Sequence, residues 1–175
     1  MQSYIITGYT GVGKTTLVNS LDLDNKWKII SAGKTFTKFA LKHNVKNSRK
    51  SIQNFAINYF NEHGYKVFTY QLLNQTLKHN KVIFVGIRPL EVVMEIKKTM
   101  PNTKIIFINS NKETRKARLI KRQHLSLEEV YQLQHHQIEI NMDNIKNIAD
   151  YIINNDTTIN EAKAKIEKIL LNSNI

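Results

Sequence analysis

The chain contains no cysteine. Disulfides and thiolate metal sites are thereby excluded, and a cytoplasmic setting is expected. Proline and glycine are scarce, with two and six residues in a chain of 175. No linker, repeat or low-complexity tract breaks the sequence, so one domain spanning 1–175 with a real core is expected. No window approaches the ~18 uninterrupted apolar residues of a membrane span, and no membrane partner is expected. The opening stretch MQSYIITGYT runs directly into strand and loop pattern rather than a signal peptide. Acidic residues are also few, 14 against 26 basic ones, for a net charge of +12. That excess invites a nucleic-acid reading. Its distribution argues otherwise, because no run of five or more basic residues occurs and the lysines are scattered among Asn and Ile. A small anionic molecule explains the same charge, so nucleic acid stays open only as the lesser reading. A homodimer also stays open.

What is present alternates. Strand patterns fall at 3–7, 27–31, 81–85, 103–109 and 149–154. Helical periodicity begins near Lys14 and returns at 35–43, 48–63, 67–79, 89–99, 112–123, 126–140 and 158–172. Pro89 falls in the first turn of its helix, where a missing N–H costs nothing. Ser126 and Glu129 have the spacing of a capping box. Strands alternating with helices predict a parallel sheet covered on both faces, an α/β fold.

Between the first strand and the first helix stands Gly8-Tyr9-Thr10-Gly11-Val12-Gly13-Lys14-Thr15. This is G-x-x-x-x-G-K-[ST] in full and in the right context. Glycines let successive N–H groups turn toward an anion, and the helix N-terminus adds partial positive charge. Lys14 can reach outer phosphates, and the Thr15 hydroxyl can ligate Mg²⁺. Gly8, Thr10, Gly11, Val12, Gly13, Lys14 and Thr15 are therefore expected around the phosphates of ATP.

Arginine is scarce beside lysine, which makes each one informative. The five are Arg49, Arg88, Arg115, Arg118 and Arg122, which leaves 21 of the 26 basic residues as lysine. Arginine grips phosphate as a planar fork, which lysine cannot do. Arg115, Arg118 and Arg122 recur at i, i+3 and i+7 and share one helix face. A clamp on transferring phosphoryl charge is expected there; Lys112, Lys116 and Lys121 nearby support the lesser alternative, a solvated basic face. Arg88 follows the third strand, at the end where ligands of open α/β sheets bind. Arg49 opens the helix over 48–63 and could reach an acceptor phosphate or remain at the surface.

The stretches GYTGVGKTT, FVGIRPLEVV, FINSNKETRKARLIKR and IADYIINNDTTINEAKAKIEKIL together resemble the P-loop nucleoside monophosphate kinase superfamily. Its dephospho-CoA kinase-like and phage or archaeal (deoxy)nucleotide kinase-like branches are the nearest in pattern. The resemblance implies a three-layer α/β/α fold with a five-stranded parallel sheet of order 2-3-1-4-5. It implies a helical acceptor-binding region at about 34–79 and a lid at about 111–140. Position by position, it implies Gly8, Gly11, Gly13, Lys14, Thr15 and Thr16 for the triphosphate, Arg115 and Arg118 for the lid, Arg88 for an acceptor phosphate, and Asn155 with Thr157 for the base. In SAGKTFTKFALKHNV, the arginine of related acceptor segments is replaced by Thr37, with Lys34 and Lys38 nearby; Lys34 is taken as an acceptor ligand.

A second departure concerns the third strand, which in such proteins commonly ends in an aspartate. Here it ends Val85-Gly86. A hydroxyl acceptor benefits from a carboxylate base, whereas an acceptor phosphate is already an anionic nucleophile. The expected activity is therefore ATP- and Mg²⁺-dependent phosphoryl transfer to a (deoxy)nucleoside monophosphate, a small-molecule nucleotide. The alternatives are a hydroxyl kinase such as dephospho-CoA kinase, or a non-catalytic nucleotide-binding or nucleic-acid-associated protein. Glu91, and less so Asp22, are candidate carboxylates for metal-bound water. The six histidines have no metal-ligand spacing, and His135 and His136 diverge on a helix. Tyr59, Phe60, Tyr65, Phe68 and Tyr70 are read mainly as packing, with one or two able to stack on an acceptor base.

Overall fold

Apolar residues alternate along the first strand so that Ile5 packs into one core cluster and Tyr4 and Ile6 into another. The same division recurs in the third strand, between Val82 and Phe84 on one side and Ile83 and Val85 on the other, and in the fourth, between Ile105 and Phe107 and Ile106 and Ile108. A sheet buried on both faces follows, which only crossover helices can cover. The computed structural model describes residues 1–123, 126–134 and 142–172.

Five strands form the sheet: β1 (Gln2–Gly8), β2 (Trp27–Ser31), β3 (Lys81–Val85), β4 (Lys104–Asn109) and β5 (Tyr151–Asn154). They pair parallel in the order β2-β3-β1-β4-β5, as the resemblance implies. One face is covered by α1 (Lys14–Ser20) and α9 (Ile159–Asn172), which contribute Leu17, Val18, Ala162, Ile166 and Leu170. The other face is covered by α2 (Ala32–Lys42), α3 (Arg49–His63), α4 (Lys66–Leu73), α5 (Leu90–Thr99) and the short α8 (Met142–Asn147). The charged helix α6 (Lys112–Gln123) follows β4, and α7 (Leu127–Gln134) follows it. Each fully buried Ile, Val or Phe in these layers stabilises the fold by roughly 1.5–3 kcal/mol.

Local signals explain most boundaries. Ser126 and Glu129 form the expected capping box: the Ser126 N–H donates to Glu129 at 2.8 Å and the Glu129 N–H to the Ser126 hydroxyl at 3.2 Å. The helix expected over 67–79 instead ends at Leu73 and tightens into a 3₁₀ turn at Asn74–Thr76. The Thr76 hydroxyl donates to the Leu73 carbonyl there, competing for the backbone. Helix α8 has no counterpart in the periodicity reading. Residues 135–140 of the helix expected over 126–140 lie outside the described residues, as does His124. Behind the sheet, burial pushes the Asp150 carboxyl up, but hydrogen bonds from the Ile105 N–H and Lys104, with the charge of Lys97, outweigh it and hold the group below its usual value. Among the described residues no helix is long and apolar enough to cross a membrane.

Candidate active site

Parallel strands place their carboxyl ends together, so the loops after β1, β3, β4 and β5 meet on one edge of the sheet. The loop after β1 runs from Gly8 to Gly13, where α1 begins. Its carbonyls are held from outside. The Lys14 ammonium donates to the carbonyls of Gly8 and Tyr9 at 2.6 and 2.7 Å. The Val12 carbonyl accepts from Asn155 Nδ2 at 2.7 Å and from Arg118 at 3.4 Å. In a planar peptide the N–H opposes the C=O, so the Gly13 N–H points away from Asn155. With its carbonyls occupied, the loop can offer N–H groups to an anion.

Strand β5 and α6 provide that support. Asn155 is buried, and its own carbonyl accepts from Arg118 at 2.7 Å. Asp156 ties the next residue to the start of α6 through the Ser110 hydroxyl at 2.5 Å and the Asn111 N–H at 3.0 Å. The Ser110 hydrogen bond holds the Asp156 carboxyl below its usual value of 3.8; burial opposes this, and the Asn111 N–H, Thr114 and Arg118 reinforce it. A depressed carboxylate contributes stability that is complete above 3.8 and is lost as pH falls through the folded value. Thermal melts between pH 6 and pH 3 should therefore show a steeper acid decline in the wild type than in Asp156→Asn. Parallel declines would remove this role for Asp156.

Two cavities open on this edge. The first, about 440 Å³, lies beside the phosphate loop and is lined by Gly11, Gly13, Thr16, Arg118, Asn155 and Thr157, among others. The second, about 560 Å³, lies between the sheet edge and α2–α4, lined by Phe36, Phe60, Tyr65 and Phe68 with the carboxamides of Gln53 and Asn61. Lys14, Thr15, Arg49 and Arg88 line both. Burial raises the Tyr65 hydroxyl above its usual value, and Glu91 adds to the effect, so this phenol is neutral. Among the described residues, neither lining contains Asp, Glu or His.

The strand end that lacks an aspartate is built differently. Gly86 extends the pairing of β3, its N–H donating to the Ile6 carbonyl at 2.9 Å. Its φ of 79° is one that few side chains tolerate, yet a Cβ there would meet nothing within 4 Å. The turn, rather than space, calls for glycine. It buries Ile87, whose carbonyl accepts from the Thr7 hydroxyl, and delivers Arg88 to Thr10, to which it donates at 2.8 Å.

Several expectations meet a different placement. Arg115 is 8% exposed and lines neither cavity. Its guanidinium stacks 4.4 Å from the Tyr9 ring centroid, and Tyr9 also packs on Phe107 and donates to Asp143. The i, i+3 spacing puts Arg115 and Arg118 on one stripe, but that stripe wraps a corner: Arg115 falls on its buried side under the loop and Arg118 on its open side. In this structure Arg115 therefore packs against Tyr9 and does not reach either cavity. Val12 is fully buried, so only its backbone can serve a ligand. Lys34 is exposed on α2 and lines neither cavity; its neighbours Gly33 and Thr37 line the second. Glu91 is exposed and absent from both linings. The side chain of Arg122 lies outside the described residues, as do His135 and His136. Gln53 and Asn61 were missed; Gln53 follows Arg49 at i+4 and continuing that stripe would have found it, whereas Asn61 at i+12 lies about 120° round α3 and shares no stripe with Arg49.

No protein-family model matches the chain. A UPF0200 protein of Sulfurisphaera tokodaii is 30% identical over 169 residues, covering 94% of this chain and 93% of the relative. The chain belongs to the UPF0200 family. This UPF0200 chain also has the P-loop kinase fold. Dephospho-CoA kinase from Campylobacter jejuni superposes with a TM-score of 0.58 at 22% identity, covering 99% of this chain and 98% of that one. Shikimate kinase from Bacteroides thetaiotaomicron superposes with a TM-score of 0.61 at 19% identity, covering 97% and 98%. In the UPF0200 chain, both cavities lie on the edge of that fold where its strands end.

Proposed function

We propose that this protein is an ATP-dependent kinase whose acceptor is the phosphate of a nucleoside or deoxynucleoside monophosphate. The fold neighbours named above are kinases, which supports phosphotransfer in general. The finer reading is carried by one observation: three cations, Lys14, Arg49 and Arg88, face both cavities, and among the described residues no carboxylate or imidazole lines either. A hydroxyl acceptor has a proton to lose and no base there to take it. An acceptor phosphate arrives already anionic and requires only positioning and charge neutralisation.

In this reading the loop N–H groups and Lys14 hold the donor phosphates, with Arg118 at their side. Asn155 and Thr157 border the donor base. Arg49 and Arg88 orient the acceptor phosphate between the two cavities. Along α3, Gln53 lies about 6 Å beyond Arg49 and Asn61 about 18 Å. Their carboxamides can read the edge of a base stacked among Phe36, Phe60 and Phe68. The exposed Thr15 hydroxyl, at the junction of the cavities, is the side chain placed to hold Mg²⁺, which when bound supplies neutralising charge between the phosphates. A metal held by one protein oxygen, phosphates and water suits magnesium, and among the described residues no cluster of three or more acidic or histidine side chains competes for it.

The purified protein, given ATP and Mg²⁺ with a panel of AMP, CMP, GMP, UMP, dTMP and the other deoxynucleoside monophosphates, should form ADP and the matching diphosphate from at least one of them. Silence across the panel ends the monophosphate reading. The full-length match to the dephospho-CoA kinase fold favours a second reading, a hydroxyl kinase, and dephospho-CoA belongs in the same panel. Phosphate appearing on a hydroxyl would establish it.

A further inference from the structure

We infer that the exposed face of α2 and the turn after it bind single-stranded nucleic acid: Lys34, Lys38, Lys42 and Lys46 meet its phosphates, and the His43 ring stacks on a base. This surface is separate from the two cavities and does not depend on the kinase reading.

Charge is uneven along the chain. Residues 25–61 hold seven lysines, one arginine and no acidic residue, and so carry +8 of the net +12. The lysines look scattered in sequence, but a spacing of four puts Lys34, Lys38 and Lys42 in one stripe on α2, about 6 Å apart along its axis. All three are exposed, as are Lys46 in the turn and Lys50 at the start of α3. None of the five ion-pairs with a carboxylate among the described residues. Like charges at i and i+4 destabilise a helix, and no acidic residue on α2 offsets them. A row of unneutralised ammonium groups is the electrostatic footprint of a polyanion-binding face.

The rings beside the stripe choose among polyanions. His43 follows the last residue of α2 and is exposed. Its ring centroid lies 4.6 Å from that of Phe39, 5.5 Å from Phe55 and 6.0 Å from Tyr59, so the imidazole stands on a packed aromatic cluster. Lys42 and Lys46 flank it in the chain. A ring held this way stacks on unpaired bases, which a duplex keeps inside its own stack. An anionic membrane fits less well. A surface helix binds lipid by burying its apolar face, and the apolar face of α2, made of Phe36, Phe39 and Ala40, is already buried in the core.

A labelled oligonucleotide of about twelve thymidines should bind the wild type in the micromolar range at about 50 mM salt, and more weakly as salt rises. Lys38→Gln/Lys42→Gln should lower the slope of log affinity against log salt by about 1.4, the share of two phosphate contacts. Lys165→Gln/Lys168→Gln removes the same charge from α9, across the sheet, and should leave the slope within about 0.3 of wild type. His43→Ala should weaken binding about tenfold, and His43→Phe should restore it. Melting curves confirm that each variant is folded. None of these residues lines the first or second cavity, so saturating ATP with Mg²⁺ should shift the affinity by less than about twofold. No binding at 50 mM salt overturns the inference. So do equal slope losses in the two lysine pairs, which would reduce the effect to net charge, and displacement by ATP, which would put the oligonucleotide in the cavities. Tighter binding to a duplex of the same length, or to vesicles containing about one-third phosphatidylserine, overturns it as well, as does a His43→Ala affinity equal to wild type.

Discussion

Lys14→Ala should lower turnover by on the order of a thousandfold or more, with the melting temperature nearly unchanged. Lys14 reaches back to the Gly8 and Tyr9 carbonyls and lines both cavities. Among the described residues it is the one ammonium that lines both cavities, and the proposed transfer runs from the first toward the second. Lys14 is half-buried, so a second variant is needed to separate loss of charge from loss of volume. Lys14→Met, which retains the stem, should fail equally. Steady-state rates with the best acceptor, alongside melting curves for both variants, test this directly. A rate within tenfold of wild type would show that the phosphate loop is not where transfer happens.

Gly8→Ala should destabilise the fold by about 4 kcal/mol, combining a steric overlap with a strained backbone. A Cβ at Gly8 would stand 2.1 Å from the Ile108 carbonyl oxygen, and φ there is 148°. The clashing atom is backbone in β4, the strand paired with β1 at this point, and cannot rotate away. For a chain of this size the melting temperature should fall by about 10 °C. ATP binding should weaken with it, because the same shift pulls the start of the loop off the sheet. A melting temperature within about 2 °C of wild type would mean that β1 and β4 separate more easily than their pairing suggests.

The fold was largely legible because the signals that carry it are local and periodic. Short apolar runs separated by helical periodicity marked the five strands, and Ser126 with Glu129 marked a helix start. The phosphate loop was legible for a related reason: its glycines and Lys14-Thr15 act on one ligand within eight consecutive residues. The lid arginines were read less well. Spacing identified a shared stripe, but whether a residue on that stripe faces solvent, cavity or core depends on what packs beside it. Tyr9, Phe107 and Asp143 bring Arg115 under the loop, and they come from three separate parts of the chain. Lys34 is likewise exposed and lines neither cavity, since a helix start near a site can still point its side chain away.

Sequence alone determined that a parallel sheet would form and that an anion-binding loop would follow its first strand, because both depend on neighbours within a few residues. Only the tertiary structure decided which cations share the two cavities and that Arg88 rests on Thr10, 78 positions apart in the chain. Such contacts arise where strand ends converge, and convergence is a property of sheet order, which no short window of residues contains.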